Sequence, residues 1–202
     1  MLTEKIAKEL KELGIKHIFV VDDLTSNWMT AAKYLSKLEK QYCIKWDCAD
    51  RKDVAIEKIK QSRKKGHAYD LVLTDLDMAL AGEGLEVAEQ AYKHYAIPFI
   101  VTGRMRPLRE GEKRGHAPQW DLERKTLGKT RILPLPGEEQ IVEGSKDQEK
   151  TWEELLSKAT QYLKSDEGEQ IIKKLGSYKA QFKNQPLEDS TIIRSLMEKY
   201  II

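Results

Sequence analysis

Apolar and polar residues follow two rhythms along this chain. Between Thr3 and Leu13, the residues Ile6, Ala7, Leu10 and Leu13 recur at helical spacing and Gly14 supplies a stop, which predicts an opening amphipathic helix. A strand-length apolar run follows in "HIFVV". After the acidic pair Asp22-Asp23, "LTSNWMTAAKYLSKLEK" places Trp28, Ala31, Ala32, Leu35 and Leu38 on one helical face. The strand-like "YCIKW" and a helix from about Asp53 to Lys64 come next. The alternation repeats with "LVLT", a helix from Leu85 to Tyr95, and "IPFIVT". "RILPLP" reads as a last strand, cut short by Pro134 and Pro136. Thr151 and Glu154 have the spacing of a capping box, and Trp152, Leu155, Leu156, Ala159, Tyr162 and Leu163 trace a helical stripe behind them. Short apolar runs alternating with helices predict a doubly wound α/β fold, with a five-stranded parallel sheet covered on both faces.

Two stretches fall outside this rhythm. From Gly103 to Lys129 periodicity fails: the stretch carries Pro107, Pro118 and four glycines and reads as a long insertion of about residues 104–130. Residues 165–202 add two short helices, one with Ile171, Ile172 and Leu175, the other with Ile192, Ile193, Leu196, Met197 and Tyr200. The expected organisation is an α/β domain over residues 1–164 and a C-terminal helical extension over 165–202. That extension packs on the sheet domain or pairs with a second copy to form a homodimer.

Composition narrows the setting. The chain has 202 residues, 40% apolar and 34% charged, enough for a real core and without a membrane span. "MLTEKIAKELKELG" has no apolar core of the kind a secretory signal needs, so cytoplasm is the simplest compartment. Cys43 and Cys48, five apart in "YCIKWDC", would lie on opposite faces of a strand, which argues against a disulfide or a zinc site. His17, His67, His94 and His116 are scattered. The net charge is +2, yet residues 104–131 hold nine Arg or Lys against four Asp or Glu, so that segment is +5 and the remainder −3. A local basic patch follows.

The chemistry lies where strands end. In open parallel sheets ligands bind outside the carboxyl ends of the strands, and Asp22, Asp23, Asp75 and Thr102 all fall at such ends. Singly, an aspartate after a strand is a common turn former or helix cap. Together, three carboxylates repel one another unless a cation sits among them, and an all-oxygen set of this kind suits Mg²⁺ holding a phosphoryl oxygen.

From about Lys16 to Lys164 the sequence resembles the receiver domain of two-component response regulators. "IFVVDD" looks like the first strand with its acidic pair, and "DLVLTDLDM" like the third strand with its phosphoacceptor. "GLEVAEQ" is similar to the opening of the following helix, and "IPFIVTG" to the fourth strand with its hydroxyl residue. The resemblance implies Mg²⁺ held by Asp22, Asp23 and Asp75, with Asp77 offering its backbone carbonyl. It also implies phosphorylation of Asp75 by a partner histidine kinase, sensed by Thr102. Met78 keeps the family's methionine position, but Ala79 replaces the usual proline, and one extra residue precedes Gly84. Leu133-Pro134 stands where the family has Lys-Pro. Either Lys129 or Arg131 reaches in from the basic segment, or the domain is a pseudo-receiver acting through protein interaction.

Two other classes compete. "LVLTDLDM" with "FIVTGR" also resembles the first two motifs of haloacid-dehalogenase-like phosphatases, which would make Asp75 the nucleophile, Asp77 the acid and base, and Thr102 a phosphate ligand. That family's acidic pair follows these motifs, whereas Asp22-Asp23 precedes them. The basic insertion, with Trp120 among its cations, has the composition of a nucleic-acid contact, but nothing else in the chain supports that reading.

Overall fold

A computed structural model describes residues 2–80, 82–103, 129–135 and 141–200. The opening helix α1 spans Leu2–Glu12, followed by β1 (His17–Val21), α2 (Thr25–Tyr42), β2 (Lys45–Ala49), α3 (Lys52–Lys64), β3 (Leu71–Thr74), α4 (Glu83–Lys93) and β4 (Ile97–Thr102). Then come β5 (Lys129–Leu133), β6 (Ile141–Glu143), α5 (Glu149–Leu163), α6 (Asp166–Gln181), α7 (Ser190–Met197) and a 3-10 turn at Glu198–Tyr200. The basic segment 104–128 lies outside the described residues.

The sheet is six-stranded and mixed, in the order β2-β1-β3-β4-β5-β6. The first four strands are parallel, as the alternation predicts, with Val21 opposite both Ala49 and Thr74. Two expectations fail at the far edge. "RILPLP" is not a last parallel strand: β5 runs antiparallel to β4, pairing Thr102 with Arg131 and Ile100 with Leu133. A sixth strand, β6, then turns back antiparallel to β5, with Lys129 opposite Glu143, and so regains the direction of β1–β4. Three residues are too few to show a period-two pattern, which is why β6 escapes a reading by periodicity. The other boundary shift is at "YCIKW": Tyr42 ends α2, Cys43 closes it in the left-handed conformation (φ 59°), and β2 starts only at Lys45. Cys43 therefore does not lie in a strand.

Period-two burial divides the core between the two faces. Ile18, Val20, Leu71 and Leu73 point into one cluster with α1, α2 and α5, while Phe19, Val21 and Val72 point into another with Ala55 and Ile59 of α3 and Val87 and Ala91 of α4. The helical stripe of α5 is buried as predicted, with Trp152, Leu155, Leu156, Ala159 and Leu163 in the first cluster. Thr151 is not the cap of that helix. Gln148 holds the N-cap position and no side chain caps it, while Thr151 sits buried inside the first turn.

The C-terminal helices join the same core. Ile171, Leu175, Ile193 and Leu196 are buried with the sheet residues, so these apolar side chains are used within the chain. α7 packs on α4, and the Tyr200 hydroxyl donates to Pro98 O at 2.6 Å beside the Tyr92 hydroxyl at 3.0 Å. Among the described residues, no helix is long and apolar enough to cross a membrane.

Candidate functional site

Strand order reverses between β1 and β3, because α2 carries the chain outward to β2 and α3 returns it to the other side of β1. Crevices form at the carboxyl ends of strands flanking such a point. Asp22 and Asp75 are the first residues past the paired ends of these two strands, and the Asp75 amide still donates to Val21 O at 2.8 Å. Asp23 follows Asp22. One carboxylate oxygen from each of Asp22, Asp23 and Asp75 lies within 4.8 Å of the other two. Asp22 is 1% exposed, Asp75 half-buried and Asp23 exposed.

Gly84 sets the position of Asp75. The first turn of α4 lies so close to the strand end that a Cβ on Gly84 would fall 1.8 Å from Asp75 O, and the Gly84 amide donates to Leu76 O at 3.0 Å. Only glycine allows this approach. The intervening loop is pinned at both ends, by the Gly82 amide donating to Asp77 Oδ1 at 2.7 Å and the Leu80 amide donating to Glu83 Oε2 at 3.1 Å. Met78 is buried against α3 and α4. The Asp77 carboxylate thus faces its own loop.

The sequence offers Lys129 or Arg131 as the side-chain cation of this site, and the structure supplies Lys146 instead. The Lys146 Nζ donates to Asp22 Oδ2 at 2.5 Å, lies 3.0 Å from Asp75 Oδ1, and also donates to Val101 O at 3.3 Å, next to Thr102. Lys146 follows β6 by three residues. A backbone angle and two hydrogen bonds shape this turn: Gly144 has φ +134°, the Thr130 hydroxyl donates to Gly144 O at 2.7 Å, and the Trp152 indole donates to Lys146 O at 2.7 Å. Among the described residues, neither expected lysine substitute forms an ion pair with these aspartates. Lys129 pairs with Glu143 at 3.0 Å, and Arg131 lies within β5 opposite Thr102. Leu133 belongs to the opposite end of an antiparallel strand, so it never occupied the lysine position at all.

A second unforeseen residue is Asn27, whose amide donates to Asp22 Oδ1 at 3.0 Å and Oδ2 at 3.3 Å. Asn27 sits on the apolar stripe of α2 with Ala31, Tyr34, Leu35 and Leu38. A polar residue on a buried stripe was the available signal. For Lys146 the signal was fainter: a lysine two residues after a glycine that ends a very short apolar run.

Burial and the Asp22 charge push the Asp75 carboxyl up to about 7, against the pull of Lys146 and the Leu76 amide. Burial alone would lower Lys146, but Asp75 and Asp22 together raise it above the ordinary lysine range, so the ammonium stays charged. One oxygen from each of the three carboxylates could reach a Mg²⁺ ion. Octahedral ligands about 2.1 Å from the ion put opposite oxygens roughly 4.2 Å apart, within the spread of these three carboxylates.

Thr102 is buried at the end of β4, beside the Val101 carbonyl that Lys146 contacts. Asp22, Asp23, Asp75 and Lys146 are therefore gathered at the carboxyl ends of β1 and β3, with Thr102 at the neighbouring end of β4. Compared with protein-family models, curated proteins and solved structures, the chain matches none, and the reading of its site rests on these residues alone.

Proposed function

We propose that this protein is a receiver-like signalling domain that accepts a phosphoryl group on Asp75 in the presence of Mg²⁺. The observation that carries the reading is Lys146. A buried ammonium bridging a strand-end acidic pair and a neighbouring strand-end aspartate is what a phosphoryl-accepting carboxylate needs, and here it arrives from an added strand rather than from the expected position. The 2-1-3-4 order of the parallel strands and the hydroxyl of Thr102 at the end of β4 support it further.

In this reading an ionised Asp75 oxygen attacks phosphorus in line, a new O–P bond forms, and the donor's leaving atom departs with the electron pair of the bond that breaks. Bound Mg²⁺ would be held by Asp22, Asp23 and Asp75, with the Asp77 backbone carbonyl beside them, and would neutralise charge on the transferred group. Lys146 turns from Asp22 toward a phosphoryl oxygen, and Thr102 donates its hydroxyl to another. Because Trp152 holds the backbone of Lys146, that turn is felt at the start of α5. The partner reading α5 is a histidine-kinase pathway component or another protein.

The phosphatase reading asks Asp77 to be a general acid, and its carboxylate is instead engaged by the Gly82 amide. Beryllofluoride, a phosphoryl mimic, tests the proposal. With Mg²⁺ it should bind wild type and give a protein-bound fluorine resonance that Asp75→Asn abolishes. Binding that survives Asp75→Asn would remove Asp75 from the role.

A further inference from the structure

Lys146 lies on the turn between β6 and α5, and its ammonium reaches Asp22, Asp75 and Val101 O at the ends of β1, β3 and β4. Two flanking elements hold that turn by its backbone. From α5, the buried Trp152 indole donates to Lys146 O at 2.7 Å. From β5, the buried Thr130 hydroxyl donates to Gly144 O at 2.7 Å. A Cβ on Gly144 would fall 2.3 Å from Thr151 Oγ1, so the turn also lies directly against the first turn of α5. An exposed lysine meets a backbone shift by changing rotamer. The side chain of Lys146 is only 8% exposed and packed about, so its ammonium moves with its backbone.

We propose that Trp152 and Thr130 are positioning residues which, by fixing the backbone of the β6–α5 turn, place the Lys146 ammonium between Asp22 and Asp75. The consequence for Asp75 labelling rests on the receiver-like reading of the site, whereas the placement itself does not. Both donors bind carbonyls of the turn, and their route to the two aspartates runs through Lys146. Were Trp152 an ordinary core residue whose indole merely needs an acceptor, its loss would weaken the fold and leave the ammonium in place.

The test compares Trp152→Phe, which keeps an aromatic ring without the indole N–H, and Thr130→Val, which removes the hydroxyl, each checked for native circular dichroism. Two quantities are measured: the rate of Asp75 labelling by a small acyl phosphodonor with Mg²⁺, and the urea midpoint in wild-type and Lys146→Met backgrounds. Trp152→Phe should lower the labelling rate at saturating donor roughly tenfold and leave the donor KM unchanged, since misplacing a group by about 1 Å can cost about 100-fold. Thr130→Val should act in the same direction, and it carries the test if Trp152→Phe does not fold. Each variant should lower the urea midpoint less in Lys146→Met than in wild type, because part of the loss comes from a displaced ammonium that the methionine variant lacks. Wild-type labelling rates in the folded variants, or equal midpoint shifts in the two backgrounds, would overturn the proposal. If wild type takes no phosphoryl group, the receiver-like reading falls, and the urea coupling alone decides whether Trp152 and Thr130 place Lys146.

Discussion

Replacing Lys146 by methionine keeps the unbranched apolar stem and removes only the ammonium. The structure then leaves two carboxylates short of their shared cation, Asp22 at 1% exposure and Asp75 half-buried. Removing one partner of a buried ion pair costs about 3–5 kcal/mol when the remaining charge has no other support. Here Asp22 keeps Asn27 and the Leu24 amide, and Asp75 keeps the Leu76 amide at 2.9 Å, so the expected loss is smaller, about 2–4 kcal/mol. For a chain of this size that corresponds to a fall in Tm of roughly 4–16 °C. Urea unfolding at neutral pH measures it as a lower midpoint with an unchanged slope. Lys164→Met is the internal control, since that ammonium lies 3.5 Å from Glu9 and Glu12 on the surface and should cost under about 1 kcal/mol. Mg²⁺ should restore part of the Lys146→Met loss, because a bound cation replaces the missing charge and stabilises only the folded state. A Lys146→Met loss no larger than that of Lys164→Met would refute the enclosed ion pair and the chemistry drawn from it.

Two further outcomes follow from other parts of the structure. Gly84→Ala places a methyl group against the Asp75 carbonyl, where backbone must move; it should cost at least about 2 kcal/mol in urea unfolding and lower the rate of Asp75 labelling, whereas Gly14→Ala, with open space around it, should leave labelling untouched. Burial, together with Arg63, Lys60 and Lys93, lowers the His94 imidazole to about 4, below its unfolded value near 6.5. The unfolded chain therefore binds that proton first, so the stability His94 contributes is complete above about pH 6.5 and is lost as pH falls toward 4, by up to about 3 kcal/mol. His94→Gln should flatten that part of the stability profile, and an unchanged slope between pH 6.5 and 4 would show that His94 is not the group responsible.

The parallel half of the fold was legible because each of its strands is either a four- to six-residue apolar run or borders one, and helices such as α1 and α4 carry an apolar stripe. Asp22, Asp23 and Asp75 were legible for the same reason: once adjacent strand ends are located, side chains just beyond them must converge. The antiparallel turn-back was not. β5 reads the same in either direction from its apolar residues, and its direction is set by pairing with β4 and by the three-residue β6, which carries no period of its own. Misjudging that direction made Leu133 look like a lost lysine. Lys146 reaches the site through a tertiary path, across β6, a positive-φ glycine and the Trp152 indole, and no spacing in the sequence encodes that route. Asn27 differs, since a polar residue on a buried stripe is a local anomaly and points to a partner even before the partner is known.

The most direct measurement of the central claim is intact mass after incubation with Mg²⁺ and a small acyl phosphodonor, for wild type and Asp75→Asn, with released phosphate followed in parallel. The account predicts one phosphoryl adduct on wild type, absent from Asp75→Asn, with phosphate released slowly as the adduct decays. An adduct that persists in Asp75→Asn, no adduct at all, or rapid multiple turnover without an adduct would each contradict it, the last in favour of a phosphatase.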